Sequence, residues 1–284
     1  MITRRLLAVF LGTTLWAQAP QRIVSTAPSI TELLYALDLG GRVVGVDRFS
    51  RYPADALKKP RIGDYAAPNL EVIASLRPDL VMIPTNPVQL RQRLEALNLR
   101  VLELNQEGIP ALYESMRIVG QATGTAARAA QLAERIRGDL ATIRERAAKL
   151  PKTRILFVAG RTPQRLEGLI VAGGASYLNE IIEIAGGENV FADAKAAYPL
   201  VALEEILARN PDVIIDMGEM GDTAGVTAPQ KQAVQSLWTR MPSVRAVRNK
   251  RVHAVASDIF VVPGPRVAQA AAEFFALLHP EAAR

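Results

Sequence analysis

Side chains able to do chemistry are sparse in this chain. Histidine occurs twice, as His253 and His279, too few for a histidine-rich zinc or manganese site. His253 lies in a segment that reads as a strand, where an imidazole serves structure. Cysteine is absent, which removes thiol catalysis, cysteine zinc sites, iron–sulfur ligation and disulfides together. Gly40-Gly41 with Gly45 fails the dinucleotide fingerprint because Arg42 stands where its second glycine belongs, and Gly173-Gly174 fails as well. Neither a phosphate loop nor a Gly-x-Ser-x-Gly elbow occurs. Asp258 and Glu188 remain as candidate acids or bases for an enzyme, but no nucleophile, base and orienting group stand at a recognisable spacing. The residue chemistry points to binding, with no resident cofactor and no metal.

The elements that would carry such a site come in two related halves. Leu70 to Ile83 is echoed by Leu203 to Asp216: each reads as a short helix, a Pro-Asp turn and a run apolar on both faces. Proline stops a helix, and a doubly apolar run suits a parallel strand covered by helices. A second echo pairs Ser29–Gly41 with Ser176–Gly187, each a capping serine, an apolar helical stripe and a Gly-Gly stop. Ser29 and Glu32 have capping-box spacing. Strands are expected near 23–25, 43–46, 80–83 and 101–104, then near 155–158, 170–171, 213–215 and 252–256. Between the halves, Leu132, Ile136, Leu140, Ile143, Ala147 and Leu150 fall three or four apart and predict an amphipathic helix. From Thr125 to Leu150 it would run roughly 39 Å, long enough to be a stiff strut between lobes. The expected organisation is a signal segment over 1–19, an N-terminal α/β lobe over 20–122, an interlobe helix over 123–150 and a C-terminal α/β lobe over 151–284. A ligand would sit in the cleft between lobes that move little. Trp238, in a predicted helix, is expected in the core.

Arg4 and Arg5 precede the apolar run 6–15 and the small residues around Ala17-Gln18-Ala19. This is the pattern of an export signal, with cleavage after Ala17 or Ala19. A bilayer span needs roughly 20 apolar residues, which no segment supplies. Without cysteine a bacterial lipid anchor cannot form, so a free, monomeric periplasmic protein is expected. Removing Arg4 and Arg5 lowers the formal charge of +6 to +4, without any block of like charge. With aromatics at only 5% and not interleaved with basic residues, nucleic acid is excluded as a partner.

The chain resembles the helical-backbone group of periplasmic binding proteins, those for corrinoids, haem and ferric siderophores, and within it the vitamin B12-binding branch. The carriers are Ala27-Pro28-Ser29-Ile30-Thr31-Glu32-Leu33, Val44-Gly45-Val46, Tyr52-Pro53, Gly63, Asn69-Leu70-Glu71 and Pro78-Asp79-Leu80-Val81 in the first half. In the second they are Gly186-Gly187-Glu188-Asn189-Val190-Phe191, Tyr198-Pro199 and Glu204. The resemblance covers nearly all of the chain after residue 19. It implies two α/β lobes with parallel sheets flanked by helices and joined by one long rigid helix. It also implies delivery of a bulky ligand, a cobalamin-type corrinoid or alternatively haem or a ferric siderophore, to the permease dimer of an ABC importer. The matching ligand positions are Phe49, Tyr65, Tyr198 and Asp258, with Phe260 and Arg266 nearby. Tyrosine stands where the branch usually has tryptophan at two of them, keeping a flat apolar face and adding a hydroxyl. The positions matching the permease-docking carboxylates are Glu71 and Glu204.

Overall fold

The structure is a computed structural model and describes residues 19–64, 67–85, 89–218 and 226–283. The expected export signal and Tyr65 fall outside the described residues. In chain order the N-terminal half runs β1 (Ile23–Ser25), α1 (Pro28–Ala36), β2 (Val43–Val46), α2 (Leu70–Ser75), β3 (Leu80–Pro84), α3 (Leu90–Glu95) and β4 (Val101–Leu104). The helices α4 (Gly108–Thr123) and α5 (Ala126–Ala147) follow. The C-terminal half runs β5 (Thr153–Gly160), β6 (Leu169–Val171), α6 (Tyr177–Ile184), β7 (Gly187–Asn189), β8 (Leu200–Val201), α7 (Leu203–Arg209), β9 (Val213–Asp216), α8 (Ala228–Trp238), α9 (Arg245–Arg248), β10 (Val252–Ala254) and α10 (Val267–Leu278).

The first sheet has the order β2-β1-β3-β4, all parallel, with Ile23 opposite Leu80 and Val24 opposite Val81. Alternate residues of its strands enter two different cores. Ile23, Leu80 and Met82 join the large core shared by both halves, and Val24, Val81 and Ile83 join an outer cluster with Ile73, Leu90 and Leu94. A strand apolar at every position is thereby covered on both faces. The second sheet runs β10-β9-β5-β6-β8 with β7 also on β5. β9, β10 and β7 are parallel to their neighbours, whereas β6 and β8 form an antiparallel ribbon on the open side of β5. The repeated helix–Pro-Asp–strand unit is present in both halves. Arg77 (φ 46°) and Asn210 (φ 46°) end their turns in the left-handed region just before the proline, because a residue preceding proline is disfavoured in the right-handed helical region.

The long helix α5 spans roughly 33 Å. It buries Leu132, Ile136 and Leu140 against α4, α6 and α10. A side-chain carbon on Gly120 of α4 would lie 2.6 Å from Ala129 Cβ, so only glycine lets the two helices approach this closely. Among the described residues no helix is long and apolar enough to cross a membrane.

Two local readings need correction. Ser29 does not cap α1: Ala27 is the cap, Pro28 opens the helix, and Ser29 Oγ instead donates to Gln106 Oε1 at 2.6 Å. Glu32 is accordingly no capping-box partner and turns inward. Nor do Gly40-Gly41 stop α1; Asp38 (φ 61°) takes the left-handed position and the glycines lie in a following 3₁₀ turn. Ser176, by contrast, does cap α6 by accepting from Asn179 N, and Gly186 (φ 82°) follows its end.

Both histidines are pushed below their ordinary range by burial, and nearby Arg251 adds to the effect. The fold therefore prefers neutral imidazole. As pH falls through the ordinary value of 6.5, the unfolded chain binds protons first and this contribution to stability is lost. The expected result is that the wild type loses stability on acidification below about pH 6.5 relative to a His253→Gln/His279→Gln variant. Urea melts of both proteins across pH 5–8 check this; parallel curves would contradict it.

Candidate functional site

The N-terminal wall is built on the loop after β2. The hydroxyls of Ser25, Thr31 and Ser50 form a buried chain at 2.8 and 2.7 Å that ends on the Asp47 carboxylate, which also accepts Phe49 N at 2.8 Å. Burial pushes the Asp47 carboxyl up, against the hydrogen bonds from Ser50 and Phe49. From outside, Arg61 Nη1 donates to the carbonyls of Asp47 and Ser50 at 2.9 and 2.8 Å. Buried polar groups that are fully partnered fix a loop in one conformation, and this loop carries two exposed aromatics, Phe49 and Tyr52. Arg48 lies 4.5 Å over the Phe49 ring and pairs with Asp64 at 3.2 Å.

The C-terminal wall rests on the backbone around Gly173-Gly174. Their amides donate to Ala197 O and Ala194 O at 2.9 and 3.1 Å, and a side-chain carbon at either glycine would meet a carbonyl oxygen at 2.1 Å. This close approach, rather than phosphate binding, accounts for the glycine pair, and it holds the segment that presents Tyr198. Tyr198 is 42% exposed, yet desolvation pushes its phenol up to about 12. Beside it Ile170 and Leu200, paired across β6 and β8, also remain exposed. Gly173→Ala is expected to destabilise the protein by about 1–3 kcal/mol through overpacking; thermal melting checks this, and an unchanged melt would mean that the 192–197 segment shifts freely.

Where the two walls meet, the side chains of both halves interlock. Arg266, the residue before α10, donates through Nε to Glu32 Oε2 at 2.9 Å and through its second nitrogen to Glu32 Oε1, and pairs with Asp258 Oδ1 at 2.8 Å. Its guanidinium stacks 4.1 Å from the centre of the Tyr52 ring. Burial opposes the charge on Arg266, but the Glu32 and Asp258 carboxylates outweigh it and hold its pKa above the ordinary value. Burial pushes the Glu32 carboxyl up while the guanidinium pulls it back. Next to this group the buried Tyr177 hydroxyl donates to the Phe260 carbonyl, and burial raises its phenol well above its ordinary value.

Phe49, Tyr198 and Asp258 are thus at least partly open to solvent, and Asp258 and Arg266 contact each other directly. Phe260 is 3% exposed and packs with Phe157 and Phe274 at ring separations of 5.9 and 5.1 Å, a core position. Trp238 is fully buried, as expected, and donates to Asp216 at 2.7 Å. Glu71 and Glu204 both occupy the second position of a short helix and are exposed. Among the described residues no group of His, Cys, Asp and Glu is placed to hold a metal ion. Sequence reasoning missed Glu32 and Tyr52 as parts of the site. The available signal was a charged residue inside the apolar stripe of α1, between Ile30 and Leu33.

Residues 23–258 match the family described as periplasmic binding protein. The chain is 32% identical over 217 residues, 76% of its own length and 76% of the relative's, to the vitamin B12-binding protein of Yersinia pestis. It is similar in structure to a periplasmic haem-binding protein of Roseiflexus, with a TM-score of 0.78 and 27% identity over 93% of this chain and 99% of that one. The fold is also that of the periplasmic vitamin B12-binding protein of Vibrio cholerae, at TM-score 0.76 and 24% identity over 92% and 97% of the two chains. With two α/β lobes, one sheet parallel and the other largely so, a long connecting helix and a family match over most of its length, the chain belongs to the periplasmic binding protein family.

Proposed function

We propose that the chain is a periplasmic solute-binding protein that captures a cobalamin-type corrinoid between its lobes, without turnover, and hands it to the permease dimer of an ABC importer. The observation that carries this reading is the charge state of the cleft. Its cations are already engaged: Arg266 by Glu32 and Asp258, Arg48 by Asp64, and Arg61 by two backbone carbonyls. Exposed aromatic and aliphatic surface remains at Phe49, Tyr52, Tyr198 and Leu200. Such walls suit a large ligand with a broad apolar face and neutral amide arms better than a polyanionic chelate. Asp258, 19% exposed, keeps capacity to accept a hydrogen bond from an amide. The 32% identity to a vitamin B12-binding relative supports the same class.

Haem is the second reading. Tyr198 supports it, since an exposed phenol could meet an iron. Titration of the protein from Gln21 onward with cyanocobalamin, dicyanocobinamide, haemin and a ferric siderophore, followed by calorimetry and visible absorption, separates the cases. Saturation at one corrinoid per chain, with submicromolar affinity, is expected. Saturation by haemin or the siderophore alone would move the cargo to the other class, and silence with all four would overturn the ligand reading while leaving the fold.

A further inference from the structure

The two lobes meet through a side-chain junction in addition to the helices that join them. Glu32 belongs to α1, packed on the first sheet, and Tyr52 to the loop after β2, so both are parts of the N-terminal lobe. Asp258 and Arg266 flank the turn that leads into α10 of the C-terminal lobe. Arg266 is 14% exposed, Glu32 3% and Asp258 19%, and one guanidinium engages all three partners. The segment Pro263-Gly264-Pro265 delivers it. Gly264 passes so close to the N-terminal lobe that a side-chain carbon there would lie 3.1 Å from Glu32 Oε2, and a proline on either side fixes φ and stiffens the approach.

We propose that Arg266 is a positioning residue for the cleft: its fork on Glu32, its pairing with Asp258 and its stacking on Tyr52 set the separation of the lobes before ligand arrives. The proposal deepens the reading of the interlobe cleft as the binding site and rests on that reading, but not on which ligand is bound. A planar, always charged guanidinium suits this task because its donors are fixed in one plane while its face stays free to stack. A bidentate pair at low solvent exposure resists both rotation and separation of its partners. Helices alone leave the lobes some freedom to twist about the connection, and a second attachment between side chains removes it. If the junction is lost, the binding-competent spacing becomes one of several, and apparent affinity falls by the fraction of time it is occupied.

The test measures the lobes of the ligand-free protein. The chain has no cysteine, so Gln92→Cys in α3 and Gln232→Cys in α8, both exposed, give a unique pair of spin-label sites on opposite lobes. Pulsed electron resonance is expected to show a single narrow distance distribution in the otherwise wild-type chain. It is expected to be at least twice as broad in Arg266→Met and Glu32→Gln, and intermediate in Arg266→Lys, which keeps charge but not the planar fork. A Glu32→Gln/Arg266→Gln double variant leaves no strongly buried lone charge and keeps the comparison possible if a single variant does not fold. Circular dichroism and melting verify that each labelled protein is folded. Cyanocobalamin, as the probe ligand, is expected to narrow the broadened distributions and to bind several-fold more weakly, with the loss in the association rate. A distribution unchanged in a folded variant overturns the proposal in either of two ways: with a lowered melting temperature alone, Arg266 is a structural brace; with weakened cyanocobalamin binding, it is only a ligand contact. If cyanocobalamin binds none of the proteins, the corrinoid reading fails by itself, and the ligand-free distances still decide whether Arg266 sets the cleft.

Discussion

Asp216→Ala is expected to cost about 3–5 kcal/mol of stability, the range for a buried ion pair that loses one partner. Asp216 ends β9 between β5 and β10 in the middle of the second sheet. Its side chain and that of Arg161 are both fully buried. The carboxylate accepts Arg161 Nε at 3.0 Å, Trp238 Nε1 at 2.7 Å and the amide of Gly218 at 2.8 Å. Alanine would remove an acceptor from three donors at once and take the Asp216 charge away from the Arg161 guanidinium. Asp216→Asn is expected to be milder, because its one amide oxygen still accepts from either Trp238 or Gly218, although its NH2 group then faces the other donor and the charge is lost. Urea unfolding followed by tryptophan fluorescence checks both, since Trp238 reports on the site directly. A loss under 1 kcal/mol for Asp216→Ala would mean that the surroundings of Arg161 neutralise it without Asp216.

Reversing both exposed carboxylates, Glu71→Lys with Glu204→Lys, is expected to abolish import while ligand affinity stays within about twofold. The two residues hold the same position in the two copies of the repeated helix–turn–strand unit, one on each lobe. Neither forms a salt bridge to a side chain among the described residues, so neither has a structural partner to lose. Their intramolecular role is the interaction of a carboxylate with a helix N-terminus, worth about 0.3–1 kcal/mol each, too little to unfold either lobe. Paired charges at matching places steer association with a partner of opposite charge at both contacts. Uptake of radiolabelled cyanocobalamin into cells expressing the importer, set beside calorimetric titration of the purified variant, separates docking from binding. Uptake at wild-type level would remove these residues from the interface, and a large loss of affinity would assign them to the cleft instead.

Much of the architecture was legible because it is written in short-range periodicity. The runs at 80–83 and 213–215 alternate between two apolar environments, and β3 and β9 occupy them within a residue of the expected bounds. The stripe through Leu132, Ile136 and Leu140 gave the long helix for the same reason. β7 and β8 were not expected at all and the antiparallel direction of β6 was not legible, since a strand of two or three residues carries no sign of the neighbour it will meet. Phe260 shows the same limit within the site: its neighbourhood in sequence resembles a ligand wall, but its ring fills the space between Phe157 and Phe274.

The two repeated halves, most of the strands and helices, the connecting helix and the absence of thiol chemistry could be read from the chain before any fold was in hand, and the resemblance pointed to the family. All but the family follow from residue types and spacings within a few turns of chain. What the buried charged residues do follows instead from contacts between segments far apart in the chain. Glu32 has the spacing of a helix cap, yet it meets Arg266 from 234 positions away. A carboxylate taken out of water on α1 is costly unless a cation meets it, and among the described residues the guanidinium beyond Pro263-Gly264-Pro265 does so. Local sequence fixes the helix on which a charge sits, while the partner that neutralises it is chosen by the packing of one lobe against the other.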